Sequence, residues 1–201
     1  MLILRNTASA ELVVRRSRFL AEATPVVSPE AARELWHERK RTYTNGGHIV
    51  FAFVCGPQGE VMGCSDDGEP SGTAGRPVLE VLRGSGITNA ILTVARWYGG
   101  IKLGTGGLVR AYTESAQLVL ADAPVAAFVP LTRFTLALPY VHYENVRRKF
   151  PEFGTEIANE KFTEQVMLEG TVPNADFAAF AEMIRNMTGG AVTPGEIPPD
   201  A

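Results

Sequence analysis

Two glycine-rich stretches carry side chains that can bind anions or metal ions. The first, SDDGEPSGTAGRP, covers residues 65–77, and the second, YGGIKLGTGG, covers residues 98–107. Glycine is favoured where the backbone needs positive φ or where another group approaches it closely. Two such loops therefore predict a built binding surface. The candidate residues on or beside the loops are Asp66, Asp67, Glu69, Ser71, Thr73, Arg76, Arg96, Tyr98, Lys102, Thr105 and Arg110.

The basic side chains favour recognition of phosphate groups. An arginine can bind a phosphate through two hydrogen bonds, and exposed backbone amides of a loop can hold the same anion. The side chains that could make such contacts are Arg76, Arg96, Lys102 and Arg110. Trp97 and Tyr98 could stack on a base, although packing at a strand end explains these two rings equally well.

The acids of the first loop allow a different chemistry. Asp66, Asp67 and Glu69 could supply carboxylate oxygens to Mg²⁺, which often bridges the phosphates of a substrate. Acids in a glycine-rich turn also commonly cap and bend the backbone. A Mg²⁺-dependent enzyme acting on a phosphate-bearing small molecule is therefore the alternative function, and a non-enzymatic binding protein is the one we expect.

Other catalytic sites find little support in the sequence. A serine hydrolase of the usual kind would need a G-x-S-x-G element, and the chain has none. The second loop lacks the Walker A spacing because Thr105 follows Gly104, and it breaks the Rossmann spacing as well. We expect no cofactor. His48, at the start of a predicted strand, is kept as a binding candidate, although such a histidine is usually structural.

Each loop leads into a predicted amphipathic helix. Thr73 is the predicted N-cap of the first helix, whose apolar stripe covers residues 78–82. Free N–H groups at such a helix start favour a phosphate or carboxylate guest, unless Asp66 or Asp67 folds over to accept from them. Residues 108–121 show the apolar period of the second helix.

The first strands of the chain carry a basic cluster. Residues 11–22 predict one or two strands, with Val13 among the alternating apolar positions. Arg15, Arg16 and Arg18 lie within them. A solvated strand face explains this cluster more simply than a phosphate contact does.

A helix and a hairpin precede the first loop. Ser28 is the predicted N-cap of the helix, and the basic run Arg39–Arg41 ends it at the negative end of its dipole. The apolar run of residues 48–54 predicts a strand that is buried on both faces. Residues 60–64 predict the returning strand, which leads directly into the first loop.

The two cysteines lie on this predicted hairpin. If Gln58 and Gly59 form the turn, Cys55 faces Met62 and not Cys64. The sulfurs would then not meet, and we expect two unpaired, buried thiols in a reducing compartment.

The composition predicts a soluble, cytoplasmic protein. Its apolar content of 45% is typical of a packed core. The formal net charge of −3 argues against a protein that coats nucleic acid by bulk charge, but it leaves room for a local basic patch. No segment resembles a signal peptide or reaches membrane-spanning length, so we expect no membrane partner.

A second series of strand and helix patterns begins after a linker-like stretch at residues 123–130. The order strand, helix, strand, strand, helix over residues 131–193 predicts a small ferredoxin-like α+β sandwich. Asn174 is the predicted N-cap of its second helix, and a short last strand is expected near residues 191–193. We expect the tail, residues 194–201, to be frayed.

The two glycine-rich blocks resemble the signature of the IMPACT/YigZ family. SDDGEPSGTAGRP and VARWYGGIKLGTGGLVRAY are long and ungapped, and the resemblance extends from the Arg16–Phe19 strand into the second domain. It implies an α+β N-terminal domain over residues 1–128, similar to the fourth domain of elongation factor G and to a ribosomal small-subunit protein. It also implies a ferredoxin-like C-terminal domain over residues 131–193, similar to the fifth domain of elongation factor G.

The resemblance also points to translation. Eukaryotic relatives regulate translation during amino-acid starvation by competing for the activator of a kinase that acts on an initiation factor. This chain has the second domain of the bacterial relatives in place of the additional N-terminal domain of the eukaryotic ones. It is expected to be a translation-linked regulatory protein that contacts RNA or the ribosome through phosphates held by the two loops. A protein partner in translation control is a further expectation.

Overall fold

The computed structural model describes residues 1–43 and 47–198. The chain forms two compact units, Met1–Phe128 and Val129–Ala201. Each unit combines helices with antiparallel strand pairs, so the predicted two-domain α+β fold class is confirmed.

The N-terminal unit is built on a five-stranded antiparallel sheet. Its elements in chain order are β1 (Leu2–Leu4), β2 (Ala8–Val14), β3 (Ser17–Pro25), α1 (Pro29–Thr42), β4 (Ile49–Cys55), β5 (Val61–Ser65), α2 (Gly75–Gly84), β6 (Ala90–Trp97), α3 (Thr105–Ala121) and β7 (Val125–Ala127). The sheet has the order β2-β3-β6-β4-β5. β1 and β7 pair separately, so the stretch that reads as a linker contains a strand whose backbone is hydrogen-bonded.

Helices cover both faces of the large sheet. Every residue of β4 is buried, as the apolar run of residues 48–54 predicts. Alternate side chains of β4 enter different cores: Val50 and Ala52 pack in the cluster that includes α2 and α3, whereas Phe51 and Phe53 pack against α1. The second glycine-rich loop joins β6, which is buried along most of its length, to α3, which packs one face into the first of these cores.

Helix α1 begins and ends where the sequence predicts. The Oγ atom of Ser28 accepts a backbone N–H of the first turn at 3.2 Å, as an N-cap does. In the basic last turn, Arg39 pairs with Glu22 at 3.1 Å and Lys40 pairs with Asp67 at 2.5 Å. Part of this basic run is therefore engaged in tying α1 to the sheet and to the first loop.

The basic segment near the N-terminus forms two strands joined by a tight turn. Arg15 and Arg16 are the only residues between β2 and β3. The side chains of β2 that face inward differ from those expected. Val13 is 66% exposed, whereas Leu12 and Val14 pack against the core. The expectation that Val13 shares the buried face is therefore wrong.

The cysteine prediction is partly wrong. Cys55 opposes Val61, one residue away from the expected Met62, and both thiols are free. Cys55 is buried, and burial raises its pKa to about 11. Cys64 is exposed, because its strand, β5, lies at the edge of the sheet.

The C-terminal unit is the expected ferredoxin-like sandwich. Its elements are β8 (Leu131–Leu138), α4 (Tyr140–Arg147), a 3₁₀ turn (Phe150–Phe153), β9 (Glu156–Phe162), β10 (Val166–Pro173), a 3₁₀ turn (Asn174–Asp176), α5 (Phe177–Met187) and β11 (Gly195–Ile197). The antiparallel sheet has the order β11-β8-β10-β9. Phe180 contacts Phe134 and Phe150 in its core, with ring centroids 4.9 and 5.7 Å away.

Two details of this unit differ from the prediction. Asn174 does not cap α5, because its Oδ1 atom accepts the hydroxyl of Thr132 at 2.7 Å. The last strand lies at Gly195–Ile197, beyond the expected residues 191–193, and it pairs with β8. The stretch predicted to be frayed thus contains a strand, and its final residues, 199–201, lie outside the described residues.

Candidate functional site

Asp66 closes the first glycine-rich loop onto the start of α2. One carboxylate oxygen accepts the N–H groups of Ala74 at 3.0 Å and Gly75 at 2.8 Å, and the other accepts that of Gly72 at 2.8 Å. Burial alone would raise the pKa of Asp66, but these three donors lower it below the ordinary carboxyl value. Thr73 is not the N-cap, since its hydroxyl donates to a backbone carbonyl of the loop. The protein's own carboxylate therefore takes the place of an anionic guest at α2.

Asp67 and His48 fasten the first loop to the adjacent strand. Asp67 accepts the N–H of Ile49 at 2.7 Å and the ammonium of Lys40 at 2.5 Å. Its carbonyl oxygen lies 2.6 Å from Nδ1 of His48. Because a carbonyl oxygen can only accept, Nδ1 carries the proton. Both oxygens of the Asp67 carboxylate are thus engaged in holding the fold.

Glu69 belongs to a buried network that joins the first loop to β6 and α3. Its Oε1 atom lies 2.6 Å from Nη1 of Arg96 and accepts the hydroxyl of Tyr112 at 2.8 Å. The side chains of Glu69 and Arg96 are only 3% and 9% exposed. Burial and then the negative charge of Glu69 raise the pKa of Tyr112 far above its usual value. In the described parts of the chain, Nε of Arg96 is buried without a hydrogen-bond partner.

A pocket of about 510 Å³ lies between the two glycine-rich loops. The structure brings together six of the residues proposed from the sequence, which line it: His48, Glu69, Arg96, Tyr98, Lys102 and Thr105. The sequence prediction missed the apolar part of the lining, Pro70, Leu103 and Leu108. An apolar residue inside a glycine-rich loop, such as Leu103, is the signal that could have revealed it.

The start of α3 is open where that of α2 is closed. Gly104, at the N-cap, has a φ of 73°. Among residues 1–43 and 47–198, no side chain caps this helix end, and its first turn contains no acid. Such N–H groups carry a partial positive charge. Gly104 and Thr105 both line the pocket, as does Lys102, which is exposed. Lys102 forms no ion pair with another described residue. This side of the pocket is therefore suited to an anion.

Six of the predicted residues lie outside the pocket lining: Asp66, Asp67 and Thr73, which hold the first loop together, and Ser71, Arg76 and Arg110. Arg76 lines a different groove, of about 730 Å³, between α2 and α3. Ser71 is exposed on the first loop. Arg110 is exposed on α3, and its Nε donates to the carbonyl oxygen of Gly106 at 3.3 Å. The two loops thus do not present all four predicted cations to one pocket.

The two aromatic candidates have different surroundings. The guanidinium of Arg18 lies over the ring of Trp97, 4.6 Å from its centroid. Tyr98 is 56% exposed and lines the pocket. Tyr98 is therefore the ring that a bound base could reach.

The three acids of the first loop do not form a metal site together. Asp66 binds backbone N–H groups, Asp67 binds Lys40 and a backbone N–H, and Glu69 binds buried partners. Over residues 1–43 and 47–198, no group of three or more His, Cys, Asp or Glu side chains is arranged to hold a metal ion. Within the same residues, no helix is both long and apolar enough to cross a membrane.

Comparison with known families identifies both units. Residues 15–120 match the Impact N-terminal domain, and residues 136–191 match a domain of unknown function, DUF1949. The first match contains both glycine-rich loops, and every residue that lines the pocket lies within its range.

Individual relatives match most of the chain. The IMPACT family member YigZ of Escherichia coli is 32% identical over 181 residues, which cover 89% of this chain and 89% of that protein. The family member YvyE of Bacillus subtilis is 31% identical over 186 residues, 92% of this chain and 86% of the relative. A crystal structure of a hypothetical protein superimposes with a TM-score of 0.74 at 31% identity, covering 99% and 98% of the two chains.

Proposed function

The chain belongs to the IMPACT family, and from this membership we propose that it is a translation-linked regulatory protein that binds RNA or the ribosome. The contact would be made by phosphate groups at the pocket between the two glycine-rich loops. Eukaryotic members of the family act in translation control, and this supports a role of the chain in translation. The residues that line the pocket support the phosphate contact.

The open amino end of α3 beside Lys102 is the observation that carries the proposal. An uncapped helix start is a common site for phosphate because its N–H groups point outward and its dipole favours negative charge. Here Lys102 belongs to the same pocket lining. Glu69 is the acid of this lining, and the ion pair with Arg96 balances its charge. The positive charge of Lys102 is therefore left for a ligand.

The proposed phosphate contact uses a smaller surface than the two complete glycine-rich loops expected from the sequence. Asp66 already satisfies the start of α2, and Arg76 lies on another groove. The first loop would thus shape the pocket, while the second loop and Lys102 would make the phosphate contact. Tyr98, exposed on the same lining, would stack on an adjacent base.

Equilibrium binding across a salt series tests the proposal. We would titrate the protein into a labelled single-stranded RNA, and separately into purified ribosomes, at several salt concentrations. Lys102→Ala should weaken binding several-fold and reduce the salt slope by about 0.7 for each lost contact with a single-strand phosphate. Arg76→Ala removes the same charge from a groove outside the pocket, so it is the matched control and should retain nearly full affinity.

Two outcomes would contradict this function. If neither RNA nor ribosomes bind at low salt, the pocket does not act as a phosphate contact for them. If Arg76→Ala and Lys102→Ala lose the same affinity, the contact is a diffuse basic surface. The alternative of a Mg²⁺-dependent enzyme gains no support from the first-loop acids, which have separate partners.

A further inference from the structure

The turn between β2 and β3 places two adjacent arginines in an unfavourable backbone conformation. Val14 pairs with Ser17, so that Arg15 and Arg16 alone form the hairpin turn. Their φ angles are 45° and 69°. Positive φ at both central residues is the feature of a type I′ turn, in which Asn-Gly is strongly preferred. An arginine in this region is disfavoured by its Cβ atom.

The packing of the turn does not explain why arginine occupies it. Both side chains are exposed. Neither has an ion-pair or hydrogen-bond partner elsewhere in the described residues. Arg18, three residues from the start of the turn, is different, because it pairs with Glu11 at 2.7 Å and lies over the ring of Trp97. The turn thus presents two unpaired cations at a strained position, and such strain is often kept for function.

The same turn lies against the beginning of the second glycine-rich loop. The N–H of Gly99 donates to Oγ of Ser17 at 3.2 Å. A Cβ atom added at Gly99 would collide with the carbonyl carbon and oxygen of Arg16. The backbone of the turn is therefore in contact with the loop that continues through Lys102 to the start of α3.

We propose that Arg15 and Arg16 form a second phosphate-binding element, next to the pocket, which holds another part of the same RNA strand. The inference rests on the proposed function, because it extends the phosphate contact of the second loop. Two adjacent guanidinium groups can bind neighbouring phosphates of a flexible strand, each through two hydrogen bonds. Charge at the tip favours such contacts without selecting a base sequence.

The test replaces the turn by the sequence that its geometry prefers. Arg15→Asn with Arg16→Gly should raise the melting temperature by a few degrees, because Asn-Gly suits a type I′ turn. The same variant should lose about tenfold or more in affinity for the labelled single-stranded RNA. Its salt slope should fall by about 1.4, which corresponds to two single-strand phosphates.

Two controls separate charge from structure. Arg15→Lys with Arg16→Lys keeps both charges and the unfavourable turn but loses the paired N–H donors of each guanidinium, so its affinity should lie between those of the wild type and the Asn-Gly variant, without a gain in melting temperature. Arg5→Asn with Arg83→Asn removes two exposed arginines elsewhere and should leave RNA affinity within about twofold of the wild type, beyond the small effect of net charge.

The results distinguish this element from the pocket. If the Asn-Gly variant binds RNA with unchanged affinity and salt slope while Lys102→Ala weakens binding, the turn is only structural and the proposed function remains. If the two-lysine variant loses as much affinity as the Asn-Gly variant and melts at the same temperature as the wild type, charge at the turn is not the determinant. If the wild-type protein does not bind RNA, the proposed function fails as well.

Discussion

At the scale of single residues, neighbouring acids of the first glycine-rich loop have very different structural roles. Asp66 accepts three backbone N–H groups, whereas Glu69 lies in a buried ion pair. These tasks follow from which element each carboxylate reaches in the folded chain. Stability measurements on single variants can separate them.

Removing Asp66 should loosen the first loop and the start of α2. Asp66→Ala leaves three N–H groups without their acceptor, so we expect the free energy of unfolding at neutral pH to fall by about 2 kcal/mol. The pKa of Asp66 is lowered by folding, so its stabilising effect is present above the unfolded carboxyl pKa and is lost as the pH falls through the lower folded value. Urea unfolding between about pH 2 and pH 7 should therefore show that acidification lowers the free energy of unfolding less in the variant than in the wild type.

Asp122→Ala serves as the control for this measurement. Asp122 is exposed at the carboxyl end of α3, where a negative charge is unfavourable. Its removal should cause no loss of stability. Equal losses in both variants would contradict the role of Asp66.

Removing Arg96 should lower the free energy of unfolding far more than removing an exposed arginine does. Arg96→Met leaves the buried Glu69 without its cation, and the expected loss is about 3–5 kcal/mol. Arg83→Met breaks an ion pair to Glu80 whose side chains are 59% and 47% exposed, and it should cost less than about 1 kcal/mol. Denaturant unfolding compares the two, and similar losses would show that the buried network adds little.

The roles of these acids could not be predicted from the sequence. Asp66, Asp67 and Glu69 lie within four positions of the chain, and each is compatible with metal binding, capping or pairing. The sequence allows either an anionic guest or an acid of the loop at the start of α2, and the structure assigns this place to Asp66. The pairing of Glu69 with Tyr112 joins residues 43 positions apart, which no local pattern encodes.

At the scale of elements, the site depends on a close contact between the β2–β3 turn and the second loop. Gly99 permits this contact because it has no Cβ. Gly99→Ala should therefore force the two backbones apart, with an expected loss of about 1–3 kcal/mol. Thermal unfolding measures the effect, and RNA binding should weaken together with stability.

Gly84→Ala provides the matched glycine control. Gly84 ends α2, and an added Cβ there would meet no atom within 4 Å. Alanine should be neutral or stabilise by up to about 1 kcal/mol. A Gly99→Ala variant as stable as Gly84→Ala would show that the loop and the turn are not packed as described.

Elements with strong local signals were predicted well. The cap at Ser28 and the apolar run of β4 fix α1 and the central strand. The start of α3 was predicted three residues late, because Thr105 and the two glycines after it carry no apolar signal. Residue type favours Thr73 as an N-cap, whereas the carboxylate of Asp66, further back in the chain, takes that role.

At the scale of the whole molecule, the chain contains two units with separate cores. The core that includes Phe19 and Tyr112 lies in the N-terminal unit, and the one that includes Phe134 and Phe180 lies in the C-terminal unit. The two-domain α+β class could be predicted because hydrophobic periodicity and the two glycine-rich blocks repeat known patterns. The short strands β1 and β7 could not, and β11 lies beyond the residues expected for the last strand, since three-residue strands leave little periodicity.

The separate cores predict that the N-terminal unit folds alone. A fragment of residues 1–128 should unfold cooperatively and keep the dispersed amide spectrum of the same residues in the full chain, because its core includes no residue beyond this range. It should also keep most of the salt-dependent affinity for single-stranded RNA. A folded fragment without this affinity would show that the C-terminal unit is required for binding.

The most direct test of the proposed function is an amide NMR titration of the full chain with a short single-stranded RNA. The backbone amides of Gly104, Thr105 and Gly106 at the open start of α3 should shift as RNA is added. The amides of Ala74 and Gly75, which Asp66 already binds, should remain nearly unchanged. Shifts at α2 without shifts at α3 would contradict the binding of phosphate at the open helix end beside Lys102.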